Sequence, residues 1–118
     1  MKVQIFSWNE VSQDSPVPLL KRRLLTGEKG MVAQVELAPG CVVASHHHES
    51  EQVAVILSGR VRWNLGTPGT PDFLEHEAGG GEVLVLPPNF PHGLVALEET
   101  VIIDFLSPPG KMGVDNQG

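Results

Sequence analysis

A single cysteine, Cys41, excludes an internal disulfide in this 118-residue chain. The fold must stand on its own core, and a reducing, cytoplasmic location is the expectation. No apolar stretch is long enough to cross a bilayer. The opening residues, Met1-Lys2-Val3-Gln4-Ile5-Phe6, do not read as a signal peptide. Basic residues are scarce: 8 Lys and Arg stand against 14 Asp and Glu, for a net charge of −6. Binding to nucleic acid runs on clustered cations, so that class of partner is excluded, and the short run Lys21-Arg22-Arg23 does not reverse the balance. There is no internal repeat, and the length suits one domain.

Glycine (13) and proline (10) are abundant and spread along the chain, which cuts it into short segments. Met31 to Leu37 alternates, with Met31, Ala33, Val35 and Leu37 on one face. Ala38-Pro39-Gly40 reads as a turn. Val53 to Leu57 is apolar on both faces, as in a strand between two sheets or under a subunit contact. After Ser58-Gly59, Arg60 to Leu65 alternates again with Val61, Trp63 and Leu65 together. Gly66 to Pro71 reads as a loop, and Val83 to Leu86 and Thr100 to Leu106 as further strands. Many short strands with Gly/Pro turns predict an all-β sandwich or barrel.

Two segments carry histidines. The first runs from Gly40 through His46-His47-His48-Glu49-Ser50-Glu51-Gln52 to Gly59; the second runs from Gly81 through Pro87-Pro88-Asn89-Phe90-Pro91 to His92. Neutral imidazole offers a lone pair at physiological pH, so His46, His48 and His92 are candidate metal ligands. Strand parity sends His46, His48 and Gln52 to one face, which favours Gln52 as a fourth ligand. Glu51 has the opposite parity and competes only if a bulge near Glu49-Ser50 reverses it. His47 should point to solvent, and His76, without a partner at ligand spacing, reads as structural or superficial. Three imidazoles and one amide oxygen suit a divalent transition ion without choosing among iron, manganese, nickel and zinc. An uncharged amide leaves the ion's charge uncompensated, which strengthens it as a Lewis acid. Asp104 lies inside an apolar strand and shares its parity with Ile102 and Leu106, surroundings that raise a carboxyl pKa if it faces inward.

Both histidine segments resemble the two motifs of the cupin superfamily. Gly40, His46, His48 and Gly59 fall on the first, with Gln52 in place of the acidic ligand. Gly81, Pro87 and His92 fall on the second, with Asn89 for a glycine, a replacement that a left-handed turn tolerates. Ala96 replaces a final Asn that has no ligand role in the family. The resemblance implies a double-stranded β-helix, or jelly-roll β-barrel, in one domain over residues 1–118. Its core would span about 31–109, after an N-terminal strand and linker (1–30) and before a loose tail (110–118).

The string His46 to Gln52, and the Asp104 strand running into Ser107-Pro108-Pro109, are similar to the uronate-linearising cupins of pectin and alginate breakdown. That resemblance implies metal roles for His46, His48, Gln52 and His92, and an acid/base role for Asp104. The chain departs from the group at Leu106, where a Phe is usual, and at Gly110-Lys111, where an Arg follows Ser-Pro-Pro. Lys cannot reproduce the bidentate fork of Arg.

The function expected is a metal-dependent lyase or isomerase of a small oxygenated or carboxylated molecule, an unsaturated uronate being the specific case. Cupins of the hydroxynitrile lyase type belong to the same broad class. The alternatives are a three-His iron dioxygenase and a non-catalytic ligand-binding cupin. A homodimer is expected because one small sandwich covers Val53 to Leu57 poorly, with Val3 to Trp8 available for strand exchange or edge coverage.

Overall fold

Alternation decides which side chains meet. In the computed structural model, which describes residues 2–117, ten strands form two antiparallel sheets. They are β1 (Gln13–Asp14), β2 (Leu20–Thr26), β3 (Met31–Leu37), β4 (Val42–His46), β5 (Glu51–Ser58), β6 (Arg60–Leu65), β7 (Leu74–Gly79), β8 (Val83–Leu86), β9 (His92–Ala96) and β10 (Thr100–Ser107). Short 3-10 turns cover Trp8–Glu10 and Gly113–Asn116. The six-stranded sheet has the order β1-β2-β3-β10-β5-β8, and the four-stranded sheet the order β4-β9-β6-β7. This is the all-β jelly roll expected.

The core lies between the sheets. Met31, Ala33, Val35 and Leu37 of β3 are buried as their parity predicts, and so are Ala54 and Ile56 of β5 and Ile102 and Leu106 of β10. From the opposite sheet, Val61, Trp63, Leu94 and Ala96 face them. The other face of β5 and β10 is only partly covered: Leu57 and Phe105 are exposed, as are Val83 and Val85 on β8.

Two expectations about the chain ends need correction. Among the described residues, 2–30 do not form a strand followed by a linker. Val3 to Trp8 forms no strand within the chain, whereas β2 pairs with β3 from Leu20↔Leu37 to Thr26↔Met31. The charges of Lys21-Arg22-Arg23 disguised the alternation, because Arg22 is an inward residue held by carboxylates. Within its described residues, 110–117, the tail is not loose either. Met112, Gly113 and Val114 are buried across the mouth of the sandwich. Three inward residues are too few to register as a period among polar neighbours.

Candidate metal centre

Five strand ends and connections converge at that mouth. His46 ends β4, His48 lies in the connection to β5, Gln52 is the second residue of β5, His92 opens β9, and Asp104 sits within β10. The segment from His46 to Gln52 is not one unbroken strand, so parity alone does not explain the convergence. Two local devices do. Between Val43↔Leu94 and His46↔His92 the ladder slips, placing Ala44 and Ser45 opposite Gly93 alone. This is a β-bulge, and it brings His46 directly across from His92. Gly93 is required there, since a Cβ would stand 2.7 Å from the Val43 carbonyl oxygen and 2.9 Å from the Ser45 nitrogen. The second device links the two histidine segments. Asn89 takes the left-handed conformation (φ 61°), and its N–H donates to the His48 carbonyl at 2.7 Å.

The imidazoles are oriented alike. Nδ1 of His46 lies 2.9 Å from the Ala44 carbonyl, Nδ1 of His48 lies 2.9 Å from that of Ser50, and Nδ1 of His92 lies 2.7 Å from that of Phe90. A proton on each Nδ1 satisfies these carbonyls and leaves each Nε2 with a lone pair. One ring nitrogen from each histidine lies within 4.8 Å of the other two, so the three side chains are positioned to hold a metal ion. Burial, partly offset by the Phe90 hydrogen bond, lowers the His92 pKa to about 4, and burial also lowers that of His46. Both are thus neutral and ligand-ready near pH 7.

Two details fit a bound ion. His92 Nε2 is buried and has no hydrogen-bond partner among the described residues. His48 Nε2 stands 3.0 Å from Gln52 Oε1 while its Nδ1 faces the Ser50 carbonyl, and a neutral imidazole cannot donate from both nitrogens. The two atoms could both serve as ligands of one ion, which would remove the conflict.

Gln52 and Asp104 are same-face diagonal neighbours, since Gln52 pairs with Leu106 and Ala54 with Asp104. The Gln52 Nε2–H donates to Asp104 Oδ1 at 2.9 Å, and both residues are buried. Burial pushes the Asp104 pKa up to about 7, against the opposing pull of the Gln52 hydrogen bond. Glu51, the competitor for the fourth position, is exposed, as are His76 and Lys111. His47 also faces outward.

Three contributors escaped the sequence reading. Ser50 Oγ donates to the Pro108 carbonyl, tying the His48 connection to the end of β10. Gly113 packs against the His46 ring so closely that any Cβ would overlap it. The Gln117 side chain pairs with both backbone groups of Ala44, accepting from its N–H at 2.9 Å and donating to its carbonyl at 2.8 Å. Only Ser50 carried a signal, as a small polar residue in the turn beside the ligands.

Residues 33–107 match the model of the Cupin domain family. No curated protein matches the chain in sequence. Among solved structures, KdgF from Halomonas sp. superposes with a TM-score of 0.81 at 24% identity, over 93% of this chain and 97% of that one. An RmlC-like cupin from Shewanella frigidimarina superposes with a TM-score of 0.79 at 23% identity, over 92% and 95%. A single-substitution variant of oxalate decarboxylase from Bacillus subtilis gives 0.78 at 19% identity, over 87% of this chain but 29% of that one. These likenesses establish the fold.

Proposed function

The chain belongs to the cupin domain family, and within it we propose a metal-dependent lyase or isomerase of a small carboxylated molecule, an unsaturated uronate being the first to test. The observation that carries the reading is the relay His48–Gln52–Asp104, with spacings of 3.0 and 2.9 Å, which joins the histidine cluster to a buried carboxyl of pKa about 7. His46, His48 and His92 would hold a divalent ion through Nε2, and Gln52 through Oε1. Such an ion supplies Lewis acidity toward a carbonyl, hydroxyl or carboxylate oxygen.

The remaining work falls to the chain. Asp104, poised near neutral pH, accepts a proton from one carbon or oxygen of the ligand and returns it to another. The Gln52 amide fixes one oxygen of that carboxyl and orients the other. Apolar neighbours, including Val35, Leu94 and Ile102, line the same cavity and limit water. The resemblance to the uronate-linearising cupins and the likeness to KdgF support the substrate class.

The test is metal analysis of protein purified without chelator or His tag, followed by assay on unsaturated uronates. Stoichiometric metal and metal-dependent loss of the unsaturated chromophore are expected. Metal-bound protein that leaves uronates untouched, yet consumes oxygen with iron and not with zinc, would favour the dioxygenase instead.

We further propose a homodimer formed through the outer face of the six-stranded sheet. Val83 and Val85 on β8 and Phe105 on β10 are 55%, 63% and 48% exposed there, an apolar row that a second copy would cover. The paired strands β8, β5 and β10 bring Val85, Val53 and Phe105 side by side. Light scattering at micromolar concentration should report a dimer that Val85→Asp dissociates, and a wild-type monomer contradicts the assignment.

A further inference from the structure

We infer that the C-terminal segment from Met112 to Gln117 is a lid over the histidine cluster, hinged at Gly110-Lys111 and latched by two side chains, and that it lifts to admit any ligand larger than water. This rests on the reading of the histidine cluster as a metal and ligand site, and adds how that site is reached.

The cavity beside the histidines holds about 40 Å³, room for water-sized occupants only. Strands β2, β3, β4, β5, β6, β9 and β10 supply every residue of its wall except Met112, Gly113 and Val114. The strand residues are tied into the two sheets by ladder hydrogen bonds, so displacing one of them breaks a sheet. The three tail residues belong to neither sheet and can move without that cost. Gly113 also lies against the ligating edge of His46, since a Cβ on it would overlap Cδ2 and Nε2 of that ring. The segment covers the histidine cluster where a ligand would have to approach.

Its internal bonds let it move as one piece. The Asp115 N–H donates to the Met112 carbonyl at 3.0 Å, and the Asp115 carboxylate accepts from the Met112 N–H at 3.0 Å. The Gln117 N–H donates to the Val114 carbonyl at 3.4 Å. All three bonds survive a swing of the whole segment. Upstream, Pro108 is pinned to the body because its carbonyl accepts from Ser50 Oγ, and proline fixes φ at both 108 and 109. Rotation therefore falls to Gly110 and Lys111, which are exposed and outside regular structure.

Two polar side chains hold the segment down. Asp115 accepts from Arg22 Nη2 at 2.8 Å. Gln117 accepts from the Ala44 N–H at 2.9 Å and donates to the Ala44 carbonyl at 2.8 Å. Releasing an ion pair is costly when one charge stays buried alone, and here none does. Arg22 keeps both oxygens of Asp14, at 3.1 and 2.7 Å, while Asp115, already 26% exposed, passes to water. Ala44 is itself exposed, so its freed backbone groups meet solvent. The buried side chains of Met112 and Val114 oppose opening and make the closed form the resting one. A short segment with few ties opens far below the free energy of global unfolding, as active-site lids do.

The test uses cobalt(II)-loaded protein in stopped flow with two metal-binding anions, azide, little larger than water, and benzohydroxamate, far larger. Binding is read from the visible spectrum of cobalt. In wild type the azide rate should rise in proportion to concentration, whereas the benzohydroxamate rate should level off at the rate of opening. Asp115→Ala should speed benzohydroxamate binding about tenfold and Gln117→Ala about threefold, on the scale of the hydrogen bonds removed, with azide binding unchanged. A merely structural role would move both anions alike. Equal benzohydroxamate rates in wild type and both variants, or equal acceleration of both anions, overturns the inference. Should Asp115→Ala fail to fold, Gln117→Ala decides alone. Protein that takes up cobalt without this gating leaves the proposed function standing and refutes the lid. Protein that takes up no cobalt refutes the metal reading, and hydrogen exchange then decides the lid. The Asp115 and Gln117 amides must exchange faster than those of β3 and β10, and the Asp115 amide faster again in Gln117→Ala. Exchange in step with the sheets overturns it.

Discussion

The histidine site and the segments that close over it are built from different kinds of sequence. The histidine end comes from one short stretch, His46 to Gln52, plus His92, and its residues are ligand types at characteristic spacing. The closing end comes from the chain's extremities. Arg22 reaches Asp115 across 93 positions, and Gln117 reaches Ala44 across 73. Chemistry concentrated in a local stretch announces itself, whereas closure assembled from distant residues of ordinary type does not.

The largest effects should come from the relay of the histidine site, which the closing segments do not contribute. Asp104→Asn should retain metal and lower turnover by about 10²–10⁴, the range for a positioned proton-transfer group. Gln52→Ala should instead weaken metal binding, by about 10–100-fold on the scale of changes around a metal site. Turnover and metal content measured on both variants check the contrast, and undiminished turnover in Asp104→Asn would remove that residue from the chemistry.

A smaller effect joins the ends. Gly113→Ala puts a Cβ into the His46 ring, so either the tail lifts or the ligand turns. Overpacking of this kind costs about 1–3 kcal/mol. Lower metal affinity together with faster proteolysis of the tail is expected, and a variant indistinguishable from wild type would show that the tail does not bear on His46.

The smallest effect lies in the core beneath both. Burial raises the Cys41 thiol pKa above its ordinary value. The folded state therefore keeps a proton that the unfolded chain gives up first. This contribution is fully present below the ordinary thiol pKa and is lost as pH rises through the folded value. Urea midpoints of wild type should decline relative to Cys41→Ala above about pH 9, and parallel curves would contradict the assignment.

The sequence made the metal end legible for reasons that hold only in part. His46, His48 and His92 do converge, and Gln52 is the inward member of the Glu51/Gln52 pair, as parity argued. The mechanism differs, because the strand breaks after His46 and a bulge opposite Gly93, with the turn at Asn89, does the aligning. Asp104 faces the core, one of the two placements that its sequence position left open. Arg22 stayed hidden because three consecutive cations read as a solvated patch, and only pairing with β3 shows that the middle one turns inward. The tail stayed hidden because Gly113 acts by having no side chain.

The most direct measurement is X-ray absorption or anomalous diffraction on metal-loaded, untagged protein. One divalent ion should lie about 2.0–2.2 Å from the Nε2 atoms of His46, His48 and His92, with Gln52 Oε1 in the same sphere, and His92→Ala should abolish it. Protein that takes up no ion, or an ion bound elsewhere and indifferent to His92→Ala, would contradict the account.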